Sequence, residues 1–273
     1  MLRLETATGW WLITHPDHAQ LAGEFARAWG NQQFRRPEPR TRVLLGIASH
    51  DNGWAARDEH PQITRQGKPS AFSIELVGKY SAFEEIDLED YLAVREQAVQ
   101  IIAERDAYAA MLIAMHTYNL LTERADRSTI AAKQLPLLDE FLDDLLSFQQ
   151  MLLENIEADS LLMEVEKSEE RVEENFRLLQ ACDNLSLLTC VAFDRPATLL
   201  HPLPLNNGHT SEVKVEPLGE RYFRLTPWPF AEDRLTFSFP ARHVTGHLFG
   251  SSRDLEHLFY GAPVERLTVT LTR

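Results

Sequence analysis

Two spacings of apolar residues divide the chain. Leu21, Ala22, Phe25, Ala26 and Trp29 recur at helical intervals behind Thr14, which can cap a helix whose first turn holds Pro16 and Asp17, and Gly30 ends the run. A polar, proline-bearing loop, NQQFRRPEPR, leads to a second helix, TRVLLGIASHD, with Gly53 as its stop. Residues 55–80, interrupted by Pro61, Gly67, Pro69 and Gly78, read as a long irregular connection, and long loops in compact domains are often functional. Helical spacing resumes over 88–105, 107–123, 128–157 and 161–193. The acidic run EVEKSEERVEEN fits a solvated helix face.

Alternation marks the two ends. Residues 2–14, rich in Trp, Leu, Ile and Thr and broken at Thr8-Gly9, suggest a short hairpin or an extended lead-in. After Asp194-Arg195-Pro196, the segments SEVKVEP, RYFRLTP, RLTFSFP and ERLTVTLTR alternate between Gly, Pro and Asn turns. The expected organisation is a helical domain over 1–195 and a β-rich element over 196–273 packed on it.

Composition narrows the setting. Of 273 residues 44% are hydrophobic and 25% charged, as in a globular protein able to bury a large core. The formal net charge of -14 gives no broad footprint for nucleic acid. Cys182 and Cys190 are too few and wrongly spaced for a disulfide framework or a zinc knuckle, and read as reduced core residues of a cytoplasmic protein. No signal peptide is expected at the amino end, and no segment reaches the apolar length of a membrane span.

The candidate chemistry lies where polar residues interrupt apolar faces. His18 shares a face with Leu21, Ala22 and Phe25; Ile47 precedes His50 by three residues and Asp51 by four; His116 has Ile113, Leu112 and Leu120 around it. Asp183 has Leu179 and Leu187 four residues away and Gln180 and Ser186 three away. A buried carboxylate without a partner costs several kcal/mol, so Asp183 requires one. Each residue alone can be a satisfied core group, with a histidine donating to a carbonyl or Asp183 bonded to an arginine. As a set, His18, His50, Asp51, His116 and Asp183 are the ligand types of a divalent transition metal on separate helical segments.

The order His18, then His50-Asp51, then Asp183, with His116 between, resembles the HD superfamily of metal-dependent phosphohydrolases. Four segments together, ITHPDHAQLAG, HDNGWAARDEHP, LIAMHTYNLL and LLQACDNLSLLTC, with TPWPF in the tail, are similar to an uncharacterised bacterial family in or near that group. The resemblance covers residues 14–193 and implies a mainly α fold: an all-α body forming an HD-like multi-helix bundle, with a small C-terminal β element. It also implies a divalent metal (Mn, Fe, Zn or Ni) held by His18, His50, Asp51 and Asp183, with His116 a further ligand or a proton donor. The members with two metals usually place two histidines between the HD pair and the last aspartate; here His116 stands between them, and His60 lies in the loop.

These residues lead to an expected metal-dependent hydrolase acting on a small phosphate ester or nucleotide through metal-activated water, with Asp51 and His116 catalytic. Arg65 and Lys68, in TRQGKPS, are candidates to bind the anionic substrate, or are solvated surface residues. Asp58 either orients a ligand or water, or is an exposed loop carboxylate. His15 is placed at the start of the helix outside the ligand set, and Trp54 and Trp228 are expected to pack on the core. The alternatives are a regulatory module that binds a metal or ligand without turnover, and an HD-type oxygenase with two irons.

Overall fold

The computed structural model describes residues 1–77 and 87–273. It begins with β1 (Leu2–Glu5), β2 (Gly9–Ile13), α1 (His15–Ala28), α2 (Arg40–Ser49) and α3 (Ala55–Asp58). Helices α4 (Leu88–Ala103), α5 (Ala107–Asn119), α6 (Leu135–Ala158), α7 (Glu164–Lys167) and α8 (Glu169–Cys190) follow. The remainder holds β3 (Ala197–Thr198), β4 (Leu203–Pro204), β5 (Thr210–Ser211), β6 (Lys214–Gly219), β7 (Tyr222–Thr226), β8 (Arg234–Thr245), α9 (Ser252–Gly261) and β9 (Val264–Thr272).

Seven strands form one sheet in the order β1-β2-β8-β9-β7-β6-β3, antiparallel except for the parallel pair β7 and β9. The expectation of a mainly α bundle, all-α in its body with a small C-terminal β element, is therefore wrong. The amino-terminal hairpin belongs to the same sheet: Trp10 opposes Val244 and Leu12 opposes Arg242. Alternation marks a strand but does not say which distant strand it pairs with, so the two ends of the chain read as separate pieces.

One face of this sheet and the helices bury a common core containing Leu2, Ile13, Phe239 and Val269 together with Phe25, Ile47, Ile113 and Leu179. Phe25 of α1 meets Phe237 of β8 edge to face, with centroids 4.9 Å apart at 89°, an arrangement that aromatic quadrupoles favour. The helix that carries His18 is thus seated directly on the sheet.

Local signals account for several boundaries. Thr14 accepts a hydrogen bond from Asp17 N–H at 3.1 Å and caps α1. Helix α6 starts at Leu135, later than its apolar spacing suggests, because Pro136 suits a first helical turn and 3-10 turns occupy Arg127–Thr129 and Ala132–Gln134. Ser168 caps α8 by accepting from Arg171 N–H, which separates it from α7. Helix α9, capped by Ser251, lies within a stretch whose period suggests strands. The connection expected over 55–80 contains α3 and a 3-10 turn at Ile74–Leu76, and its residues 78–80 lie outside the described residues.

Candidate metal centre

Four helices and the turn after α2 deliver the polar side chains to one place. His18 projects from the buried face of α1, and His50 caps the carboxyl end of α2. Asp51 opens the 3-10 turn Asn52–Trp54, His116 sits in the last turn of α5, and Asp183 lies midway along α8. All five are buried, none more than 7% exposed. His18, His50 and Asp51 form one group whose nitrogen and oxygen atoms could share a cation; His50, His116 and Asp183 form a second.

The turn at HDNGW has a steric reason. A β-carbon on Gly53 would lie 2.0 Å from the Val94 carbonyl oxygen and 2.8 Å from Ala98 N, so glycine lets α4 lie against the turn. Gly53 is thus a contact point for α4; α2 itself ends at Ser49. That approach brings in Arg95, which the ligand pattern did not single out. Its Nη1–H donates to Asp51 Oδ1 at 2.6 Å and its Nε–H to Tyr91 Oη at 3.1 Å. The signal was present in the sequence: Tyr91, Leu92, Ala98 and Val99 flank Arg95 at three and four residues, an arginine on an apolar helix face.

The hydrogen bonds fix which ring nitrogens carry hydrogen. Ile47 O, 2.8 Å from His50 Nδ1, can only accept, so Nδ1 is protonated. Ser186 gives its hydroxyl hydrogen to the Asp183 carbonyl at 2.7 Å, so its oxygen accepts from His18 Nδ1–H at 3.0 Å. In the neutral form of each ring Nε2 then presents a lone pair. His18 Nε2 faces Asp51 Oδ2 at 3.0 Å, and His50 Nε2 faces Asp183 Oδ1 at 3.2 Å. Two electron-rich atoms at such distances require a proton or a metal ion between or beside them. His116 adds Nε2 at 3.8 Å from Asp183 Oδ2, while its Nδ1 is buried without a hydrogen-bond partner.

Titration follows the same geometry. Burial pushes the Asp51 carboxyl up, but Arg95, His50 and His18 outweigh it and hold the group well below the usual carboxylate range. Burial likewise opposes ionisation of Asp183, and His50, His116 and His18 overcome it. Burial lowers His116 to about 3, leaving a neutral imidazole. The charges of Asp51 and Asp183 overcome burial at His50 and raise it to about 9, so without a metal that ring holds the proton. Burial pushes both thiols, Cys182 and Cys190, up and out of reach of thiolate chemistry.

Around this cluster, Asp58 is not an exposed loop carboxylate. It is buried at the end of α3, accepts from His15 N–H at 2.5 Å and from the Met1 amino group at 2.8 Å, and lies 3.1 Å from His15 Nδ1. His15 stacks on Trp54 with centroids 4.4 Å apart and meets His18 edge on. Arg65 is exposed, and Lys68 lies over the Trp10 ring at 5.9 Å; among the described residues neither contacts the five-residue cluster. His60 pairs with Glu256 at the surface.

Comparison with known proteins gives one family: the model described as a protein of unknown function (DUF3891) matches residues 1–246. No curated protein and no solved structure matches. No described helix is long and apolar enough to cross a membrane.

Proposed function

The chain belongs to the DUF3891 family, whose function is not known, and from its own site we propose that it is a metal-dependent hydrolase acting on a phosphate ester or nucleotide. The observation that carries this reading is the pair of imidazoles, His18 and His50, each donating through Nδ1–H and aiming Nε2 at a carboxylate oxygen. Metal-bound histidines use this arrangement, in which the outer hydrogen bond fixes the ring and the inner lone pair meets the ion.

Imidazole and carboxylate donors suit Mn, Fe, Zn or Ni. His18, His50, Asp51 and Asp183 would hold the ion, and the partnerless, neutral His116 stands beside Asp183 as a fifth donor or as a proton carrier. A divalent ion bound here would supply hydroxide by lowering the pKa of water to about 7 and would polarise a phosphoryl oxygen. The protein's part is orientation and charge: Arg95 pins Asp51, Ser186 pins His18, and the Ile47 carbonyl pins His50. With Asp51 and Asp183 ionised and Arg95 cationic, an ion leaves the cluster net positive, which favours an anionic substrate. The order of the ligands along the chain supports kinship of this site with HD-type phosphohydrolases.

A second reading, a metal-binding module without turnover, is favoured by the position of Arg65 and Lys68 outside the cluster. A screen of phosphomonoesters, phosphodiesters and nucleotides, with protein loaded separately with Mn, Fe, Zn and Ni, separates the two. Hydrolysis lost in Asp183→Ala supports the enzyme; stoichiometric metal with no turnover of any substrate supports the module.

A further inference from the structure

We propose that the centre is mononuclear and that the Arg95 guanidinium takes the place of a second metal ion, an inference that rests on the metal reading above. The two possible ligand groups have His50 in common. An imidazole Nε2 has a single lone pair in the ring plane and binds one ion, so both groups cannot be filled at once.

The other route to a second ion is a carboxylate that gives one oxygen to each metal. Asp183 has that form, with Oδ1 3.2 Å from His50 Nε2 and Oδ2 3.8 Å from His116 Nε2, but an ion at Oδ2 finds only Asp183 and His116 among the described residues and needs Asp51 as a third donor. Asp51 Oδ2 faces His18 Nε2 at 3.0 Å and His50 Nε2 at 3.9 Å, on the inner side of the cluster. Its Oδ1 accepts from Arg95 Nη1–H at 2.6 Å. Arg95 is itself buried and fixed: Nε–H donates to Tyr91 Oη, and the guanidinium lies 5.4 Å from the Trp54 ring centroid. The outer oxygen of Asp51 is already occupied by a cation.

Charge points the same way. One divalent ion against Asp51, Asp183 and Arg95 leaves a single positive charge, whereas two ions leave three in a nearly dry site. The next carboxylate along the chain, Asp58, is bound by His15 and the Met1 amino group. Arg95 is therefore a positioning residue: it directs Asp51 Oδ2 inward and supplies a positive charge that no chelator removes.

The test loads chelator-treated protein with excess Mn2+, removes free ion by desalting, and reads metal per chain by elemental analysis beside the electron paramagnetic resonance spectrum. Wild type and Arg95→Lys should each hold about one Mn2+ with the spectrum of an isolated ion. Arg95→Gln, which frees Asp51 Oδ1 and removes the charge, should take up a second ion and show an exchange-coupled spectrum. Two coupled ions per wild-type chain overturn the mononuclear assignment and leave the metal reading standing. A single ion in folded Arg95→Gln overturns the role given to Arg95, and no ion in wild type overturns the metal reading and this inference together. If Arg95→Gln does not fold, the wild-type stoichiometry and spectrum still decide nuclearity.

Discussion

His18 Nε2 lies 3.0 Å from Asp51 Oδ2 while the opposite nitrogen of the same ring donates to Ser186. A neutral imidazole has only one N–H, so this contact is a lone pair against a carboxylate oxygen unless a cation joins them. The same contradiction recurs between His50 and Asp183. A metal ion resolves both at once, and a proton resolves one at a time.

The two resolutions differ in their response to pH. Without metal, burial opposes the charge on His50 but Asp51 and Asp183 prevail and raise it from 6.5 to about 9. A histidine raised in the folded state contributes stability that is complete below its unfolded pKa and is lost as pH rises through the folded one. Chelator-treated protein should therefore lose stability between pH 6.5 and about 9, by on the order of 3 kcal/mol at most. Metal-loaded protein should be nearly level over that window, because the ion takes the place of the proton. Thermal melts of both forms check this, and parallel slopes contradict it.

Ser186→Ala removes the acceptor that holds Nδ1–H of His18, so the ring is free to turn or change tautomer. Metal affinity should fall roughly 10–100-fold, as for other outer partners of metal-bound histidines, with little change in circular dichroism. Titration calorimetry with Zn2+ or Mn2+ measures this; an unchanged affinity means that Ser186 does not orient the ligand.

Gly53→Ala places a methyl group against the backbone of α4, 2.0 Å from the Val94 oxygen. Overpacking of this kind costs about 1–3 kcal/mol or more, and the displacement of α4 should weaken the Arg95–Asp51 contact. Lower stability in urea melts, together with weaker metal retention, is the expected pair of results.

Arg65→Ser and Lys68→Ser, singly or together, should leave metal content unchanged, because Arg65 is exposed and Lys68 is drawn to Trp10. Surface substitutions of this type usually alter stability by less than about 0.5 kcal/mol. Loss of metal in the double variant would show that TRQGKPS reaches the centre.

The buried histidine and aspartate cluster is more legible in the sequence than the fold. Histidine and aspartate on apolar helix faces carry a large burial cost, so His18, His116 and Asp183 stood out against their neighbours at three and four residues. Arg95 was as visible by the same criterion but is a cation, which a search for metal donors passes over. Asp58 was hidden because its partners, His15 and the Met1 amino group, are distant in sequence. The sheet is hidden for a related reason: β2 and β8 each alternate locally, and only the folded chain shows Gly9 beside Thr245. Helix α9 depends on a Ser251 cap and a single turn of apolar residues between two strands, a weak signal beside the alternation around it.

The most direct test is the metal content of protein purified without chelator, measured by elemental analysis for wild type, Asp51→Ala and Asp183→Ala, with circular dichroism to confirm that each is folded. About one Mn, Fe, Zn or Ni per wild-type chain, lost in both folded variants, is the expected result. Wild-type protein that holds no metal, even after incubation with these ions, would rule out a metal centre and leave a buried network in which His50 carries a proton between Asp51 and Asp183.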